Sequence, residues 1–291
     1  MTTALRRPVE VRMLADGPIE YRFERRGPGV LLVLHGGHMR AGLALGEEAF
    51  AAAGWTVLAP SRPGYGRTAP RAGDSVAGFA DAVRALCDEL GIARVAAVVG
   101  ISGGGPTAVA LAARHPGLVE RLVLMSAVGP LPWPDRLTRL GGRLVFRPGV
   151  EAVTWAAIRL FLRVGGRRAL HALLAGVSTG RGVAARAGIG PADEEMLLAL
   201  FGAMRSGRGF IQDLRPGPDR GRPGRQPALV IASRTDGGVP FAHAEALTAA
   251  LPGATLVVSR AAGHFVWCSP DWPAIAERID AFLRSPPGRD D

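Results

Sequence analysis

The segment Gly100-Ile101-Ser102-Gly103-Gly104 directly follows the apolar run Val95 to Val99 and directly precedes a helix-like stretch. A G-x-S-x-G string alone says little in a chain with 40 glycines. Between a buried strand and a helix it says more, because a serine lifted onto a sharp strand-to-helix turn needs neighbours without side chains that would collide. Such a turn also aims the Gly103 main-chain N–H, and the helix N-terminus behind it, at negative charge developing beside Ser102. Attack by an activated alcohol is the chemistry this arrangement serves, and a hydroxyl needs a base to perform it.

Of the six histidines, His264 in Ala261-Ala262-Gly263-His264-Phe265 comes just after the last strand-like run. If the strands are parallel, its loop lies at the same sheet edge as Ser102. His115 stands before a proline at a helix end, and His171 and His243 fall inside helical patterns, positions typical of caps and surfaces. A base of this kind needs an acceptor that fixes its tautomer and stabilises the imidazolium. Asp236, just past the run Ala228 to Ala232, fills that role, with Asp135 as the competing acid. Ser102, Asp236 and His264 each follow a separate expected strand and converge on one crevice.

Leu34-His35-Gly36-Gly37-His38 closes the first apolar run. Two adjacent glycines let main chain approach a ligand closely, so the N–H groups of Gly37 and Gly103 form the expected oxyanion hole. His35 braces this loop, and His38 lines the pocket or faces solvent.

The elements that must position these residues alternate. Val9 to Leu14 and Ile19 to Glu24 flank Asp16-Gly17-Pro18 as a hairpin. Short, wholly apolar runs recur at 30–34, 55–59, 95–99, 122–125, 228–232 and 255–259, the pattern of strands buried on both faces. Amphipathic segments lie between most of them, at 75–90, 106–114, 240–251 and 273–283, which argues for an α/β fold with a mainly parallel sheet covered on both faces. The rhythm breaks between 125 and 228, where helices are expected at 150–164, 167–174 and 193–204, the last with Asp193 as N-cap. The segments 215–227 and 285–291 are expected as a linker and a frayed tail.

The 291 residues, 48% apolar, suffice for a large core and exclude disorder of the body. One domain with a large insertion follows. The net charge of +10 comes from arginine alone: lysine and asparagine are both absent, while Ala, Gly, Pro and Arg abound, as GC-rich coding produces. Arginine is scattered, in runs no longer than a pair and without interleaved aromatics, so no nucleic-acid partner is expected. Cys87 and Cys268 are too few for a disulfide framework, and no metal-ligand spacing exists. With no secretory signal and no apolar run near the roughly 18 residues of a membrane span, a soluble cytoplasmic protein without membrane partner is expected. A homodimer is left open.

Together these motifs resemble the α/β-hydrolase fold superfamily, in its serine hydrolase branch with a helical cap, esterase-like and more distantly proline-iminopeptidase-like. The chain order Ser, Asp, His matches, as do the His-Gly loop and Ser61-Arg62-Pro63-Gly64-Tyr65-Gly66-Arg67-Thr68, which is similar to the family's glycine-rich loop after its fourth strand. The resemblance spans about residues 8 to 285. It implies an eight-stranded sheet, a core domain of 1–130 and 227–291, and a cap of 131–226. Serine at 102 departs from the epoxide hydrolase and haloalkane dehalogenase branches, which carry Asp there. His38 replaces the proline of the peptidases' HGGPG, and those peptidases need cap acids, for which Glu194 and Glu195 are the candidates. The resemblance implies cofactor-free hydrolysis of a small, fairly apolar ester, lactone or thioester through an acyl-enzyme. Carbon–carbon bond hydrolysis, perhydrolysis, aminopeptidase action and a non-enzymatic receptor remain as alternatives. Trp133, Trp155, Phe161 and Phe201, with Phe265 and Trp267 near the histidine, are the candidate apolar lining.

Overall fold

The computed structural model describes residues 5–44, 46–73, 75–180, 188–215 and 224–285. Eight strands form one sheet: β1 (Glu10–Leu14), β2 (Gly17–Glu24), β3 (Val30–Leu34), β4 (Thr56–Pro60), β5 (Ala97–Ile101), β6 (Leu122–Met125), β7 (Ala228–Ser233) and β8 (Thr255–Ser259). Their spatial order is β1-β2-β4-β3-β5-β6-β7-β8, with β3 to β8 all parallel and the β1–β2 hairpin antiparallel at one edge. Leu14 pairs with Gly17, so the hairpin turns on Ala15-Asp16 rather than on Asp16-Gly17-Pro18. Gly17, at φ 109°, is already the first residue of β2, in a conformation that glycine adopts without penalty.

Alternation along each strand sends side chains to two cores. Leu32, Leu34, Val98 and Leu124 pack on one face under α2 (Val76–Glu89), α3 (Gly105–Arg114) and α8 (Ala242–Ala250). Leu31, Val33, Val99 and Met125 pack on the other with α1 (Glu48–Ala52) and α9 (Trp272–Arg284). Ser75 caps α2 by accepting from the Gly78 N–H at 3.0 Å. Cys87 and Cys268 are buried as free thiols, and burial pushes Cys87 up to about 12.

Among the described residues, four helices separate β6 from β7: α4 (Arg136–Val145), α5 (Glu151–Ala175), α6 (Pro191–Ala203) and α7 (Gly209–Asp213). The expected pair at 150–164 and 167–174 is one long run broken at Gly166, whose φ of 50° and ψ of −129° are not helical. Asp193 is not the N-cap of α6. Gly190 is, Pro191 takes the first turn where its missing N–H costs nothing, and Asp193 accepts from the Gly190 N–H at 3.1 Å. Helix α4 was not foreseen; Leu137, Leu140 and Leu144 recur at helical spacing yet all point outward, and α4 buries no residue. The linker expected at 215–227 and the tail after 285 lie largely outside the described residues. No described helix is long and apolar enough to cross a membrane.

Candidate active site

Strand β5 delivers Ser102 into a single 3-10 turn that runs straight into α3. Its φ is +50°, a left-handed conformation that costs an L-residue roughly 1–2 kcal/mol. The surroundings enforce it. A Cβ on Gly104 would lie 2.1 Å from Leu34 O, and one on Gly100 would lie 2.8 Å from Ala108 Cβ. Gly104→Ala is therefore expected to destabilise the fold by roughly 3 kcal/mol, since main chain cannot yield as a side chain can. Thermal denaturation against Gly117→Ala, where nothing stands within 4 Å, measures it.

Asp236 and His264 come together at the sheet edge. Asp236 follows β7, is buried, and accepts from the N–H groups of Gly238 and Val239, both at 2.8 Å. These bonds leave its carboxylate facing His264, whose Nδ1 lies 2.8 Å from Oδ2 and 3.0 Å from Oδ1. An acceptor-only carboxylate assigns the proton to Nδ1 and leaves Nε2 free to act as a base. Burial opposes charge on the ring, but the Asp236 carboxylate outweighs it and raises the histidine's pKa above its ordinary 6.5. With the neutral ring as the candidate base, kcat/KM is expected to fall as pH drops, with its acidic midpoint above 6.5. A pH–rate profile checks this.

The loop after β6 ties the Ser102 turn to the His264 loop. Val128 N–H donates to Ser102 O at 2.9 Å, and Ser126 Oγ donates to His264 O, also at 2.9 Å. The segment after α5 does the same for the acid and base loops: Val177 O accepts from Gly237 N–H and from His264 N–H, at 3.1 and 3.2 Å. Neither strut was legible in the sequence, because apart from the Ser126 hydroxyl both are made by main chain, which carries no residue-type signal.

The His-Gly loop lies directly on the serine. A Cβ at Gly36 would stand 3.0 Å from Ser102 Cβ, and one at Gly37 would stand 3.2 Å from Phe210 of α7. His35 donates from Nδ1 to Gly36 O at 2.7 Å and accepts at Nε2 from Arg62 N–H at 2.9 Å. Burial, then the nearby Arg62 charge, holds its pKa well below the usual value, so it braces the loop as a neutral ring. His38 has φ 62° and sits among Phe210, Phe146 and Trp155, with ring centroids 3.9, 4.6 and 5.2 Å away. Trp155 Nε1 donates to Ser206 Oγ at 2.8 Å, and Ser206 lies 2.7 Å from His38 Nδ1. Burial lowers the pKa of His38 to about 3, which keeps it neutral.

The remaining candidates divide. Asp135 is exposed and caps α4 through Leu137 and Thr138 N–H, so it is not the acid partner. His243 is buried rather than superficial and accepts from Gly129 N–H at 3.0 Å, while His115 pairs with Asp81. Trp133 reaches the acid loop through Nε1, which donates to Gly238 O at 2.8 Å. Phe265 stands edge-on to His264, Phe201 and Trp267. Trp267 is buried against Gly46. Phe161 is 48% exposed on α5. Glu194 is engaged by Arg167 and by His171, and Glu195 is exposed. No described cluster of His, Cys, Asp or Glu could hold a metal ion.

Parallel strands that deliver a serine turn, an acid loop and a histidine loop to one edge define the α/β-hydrolase architecture, and the comparisons agree. A family model described as alpha/beta hydrolase fold matches residues 29–148, and one described as TAP-like protein matches 212–290. An uncharacterized hydrolase of Bacillus subtilis is 31% identical over 97% of this chain and 100% of its own length. A 2-hydroxy-6-oxononadienedioate/2-hydroxy-6-oxononatrienedioate hydrolase from a Pseudomonas species is 32% identical over 47% of this chain and 51% of its own. An alpha/beta hydrolase fold protein from Nakamurella multipartita superposes with TM-score 0.78 at 24% identity, covering 95% of this chain and 99% of that one. The chain belongs to the α/β-hydrolase fold superfamily, among its hydrolases.

Proposed function

We propose that the protein is a serine hydrolase that cleaves a small, fairly apolar carboxylic ester, lactone or thioester through an acyl-enzyme. Ser102 Oγ attacks the carbonyl carbon while His264 Nε2 takes its proton, and Asp236 stabilises the imidazolium. The main-chain N–H groups of Gly37 and Gly103 hold the tetrahedral oxyanion. The proton then passes from His264 to the leaving group, and water repeats the sequence on the acyl-enzyme. Residues 131–226 act as a cap, with Trp133 and His38 at the pocket and Trp155 backing His38.

The observation that carries this reading is the pair of His264 with the buried Asp236, tied to the left-handed Ser102 turn by the loop after β6. An uncharged substrate is supported by the charge balance. His38 is neutral, and the buried Arg62 guanidinium beside Gly103 is matched by Asp213. The dioate named for the Pseudomonas relative would bring two carboxylates to a site whose buried cation is already paired.

A fluorophosphonate probe followed by peptide mapping tests the proposal. Label on Ser102 of the folded protein is expected; native protein that stays unlabelled overturns it and favours a binding role. A panel of aryl esters, lactones, thioesters, vinylogous diketones and peroxide-dependent halogenation then separates reaction types on the same triad.

A further inference from the structure

The geometry points to Asp213, on the inserted helix α7, as a positioning residue for the oxyanion loop, acting through Arg62 and Tyr65, which grip that loop at its two ends. This rests on the serine hydrolase reading above.

The loop Gly36-Gly37 has no side chains with which to hold itself, yet oxyanion donors act only if they are fixed before charge develops. Its rigidity must come from neighbours. At the entering end, Arg62 Nε donates to His35 O at 2.8 Å, and Arg62 main-chain N–H donates to His35 Nε2 at 2.9 Å. The Tyr65 ring also stands edge-on to the His35 ring, with centroids 5.0 Å apart. At the leaving end, the Tyr65 hydroxyl stands beside Gly37. The same hydroxyl lies 3.9 Å from the point a Gly37 Cβ would occupy.

Both grips end on one carboxylate. Arg62 Nη1 and Nη2 donate to Asp213 Oδ1 and Oδ2 at 2.6 and 2.7 Å, and Tyr65 Oη donates to Oδ2 at 2.6 Å. A planar guanidinium held bidentate cannot rotate about its own axis, so the orientation of Nε toward His35 is fixed by the acid at its other end. Arg62 Nη2 also lies 3.1 Å from the point a Gly103 Cβ would occupy, which brings the second oxyanion donor under the same clamp. The helix that supplies Asp213 belongs to the insertion and covers the loop, with Phe210 against Gly37 and His38. Seating of the insertion and geometry of the oxyanion hole are therefore one event.

The test compares Asp213→Asn with Tyr65→Phe, which spares the Arg62–Asp213 pair and removes only the hydroxyl. For each, kcat and KM are measured on an aryl ester, together with the inhibition constant of an aryl boronic acid that mimics the tetrahedral intermediate. The expected result is a fall in kcat of about 10- to 100-fold with KM within twofold of wild type. Boronate affinity should weaken in proportion, and the acidic midpoint of the pH profile should not move. A rise in KM at unchanged kcat would mean that α7 merely binds substrate, and it overturns the inference. So does wild-type kcat in Tyr65→Phe, or a loss of activity matched by loss of folded protein in both variants. Wild-type enzyme that fails to take a fluorophosphonate on Ser102 refutes the hydrolase reading itself, and this role with it.

Discussion

Ser102→Ala is expected to lower kcat on a short-chain aryl ester by on the order of 10⁴- to 10⁶-fold and to abolish fluorophosphonate labelling. The nucleophile and its base act as a unit, so loss of the oxygen removes the covalent route and leaves only what the oxyanion donors and binding contribute. The fold should survive. Val128 N–H bonds to the Ser102 carbonyl and not to its side chain, and alanine is as compatible as serine with the conformation that the flanking glycines impose. Burst kinetics and intact mass after probe treatment are the measurements; near wild-type turnover in this variant would eliminate the acyl-enzyme.

Asp236→Asn is expected to cost about 10⁴-fold in kcat, with little change in stability. The asparagine carbonyl can still accept from Gly238 and Val239 N–H, so the loop keeps its turn. Its amide nitrogen then faces His264 Nδ1 as a donor, which moves the ring proton to Nε2, where the base should be vacant. The electrostatic effect has a separate signature. The carboxylate is what overcomes burial and lifts the pKa of His264, so its removal should carry the acidic midpoint of kcat/KM downward. A variant that loses rate with an unmoved midpoint would assign Asp236 a merely structural part.

Ser102, Asp236 and His264 could be read from sequence because each sits at a strand end, where local pattern and chemistry coincide. The glycines of the two turns were legible for the same reason. Arg62, Tyr65 and Asp213 were not: Arg62 and Asp213 lie 151 positions apart, and an arginine among 35 gives no sign that it is one of the few that are buried. Asp193 shows the reverse error. Three acids in a row looked like a cap and a first turn, whereas Pro191 had already set the start of the helix two residues earlier. Helix α4 escaped because its apolar spacing serves no core, and residue type alone does not show that Phe161 is half exposed on α5.

The two buried thiols have a practical meaning in a chain without lysine. Burial keeps both sulfurs protonated and out of reach, and no side-chain amine competes for electrophiles. A cysteine introduced on the outer face of α4, as Leu137→Cys, would therefore be the single thiol open to a maleimide dye. With a second dye delivered by the phosphonate on Ser102, the molecule becomes its own optical ruler. One fluorophore would ride on the insertion and the other on the sheet edge, and their energy transfer would report in solution the distance between the two.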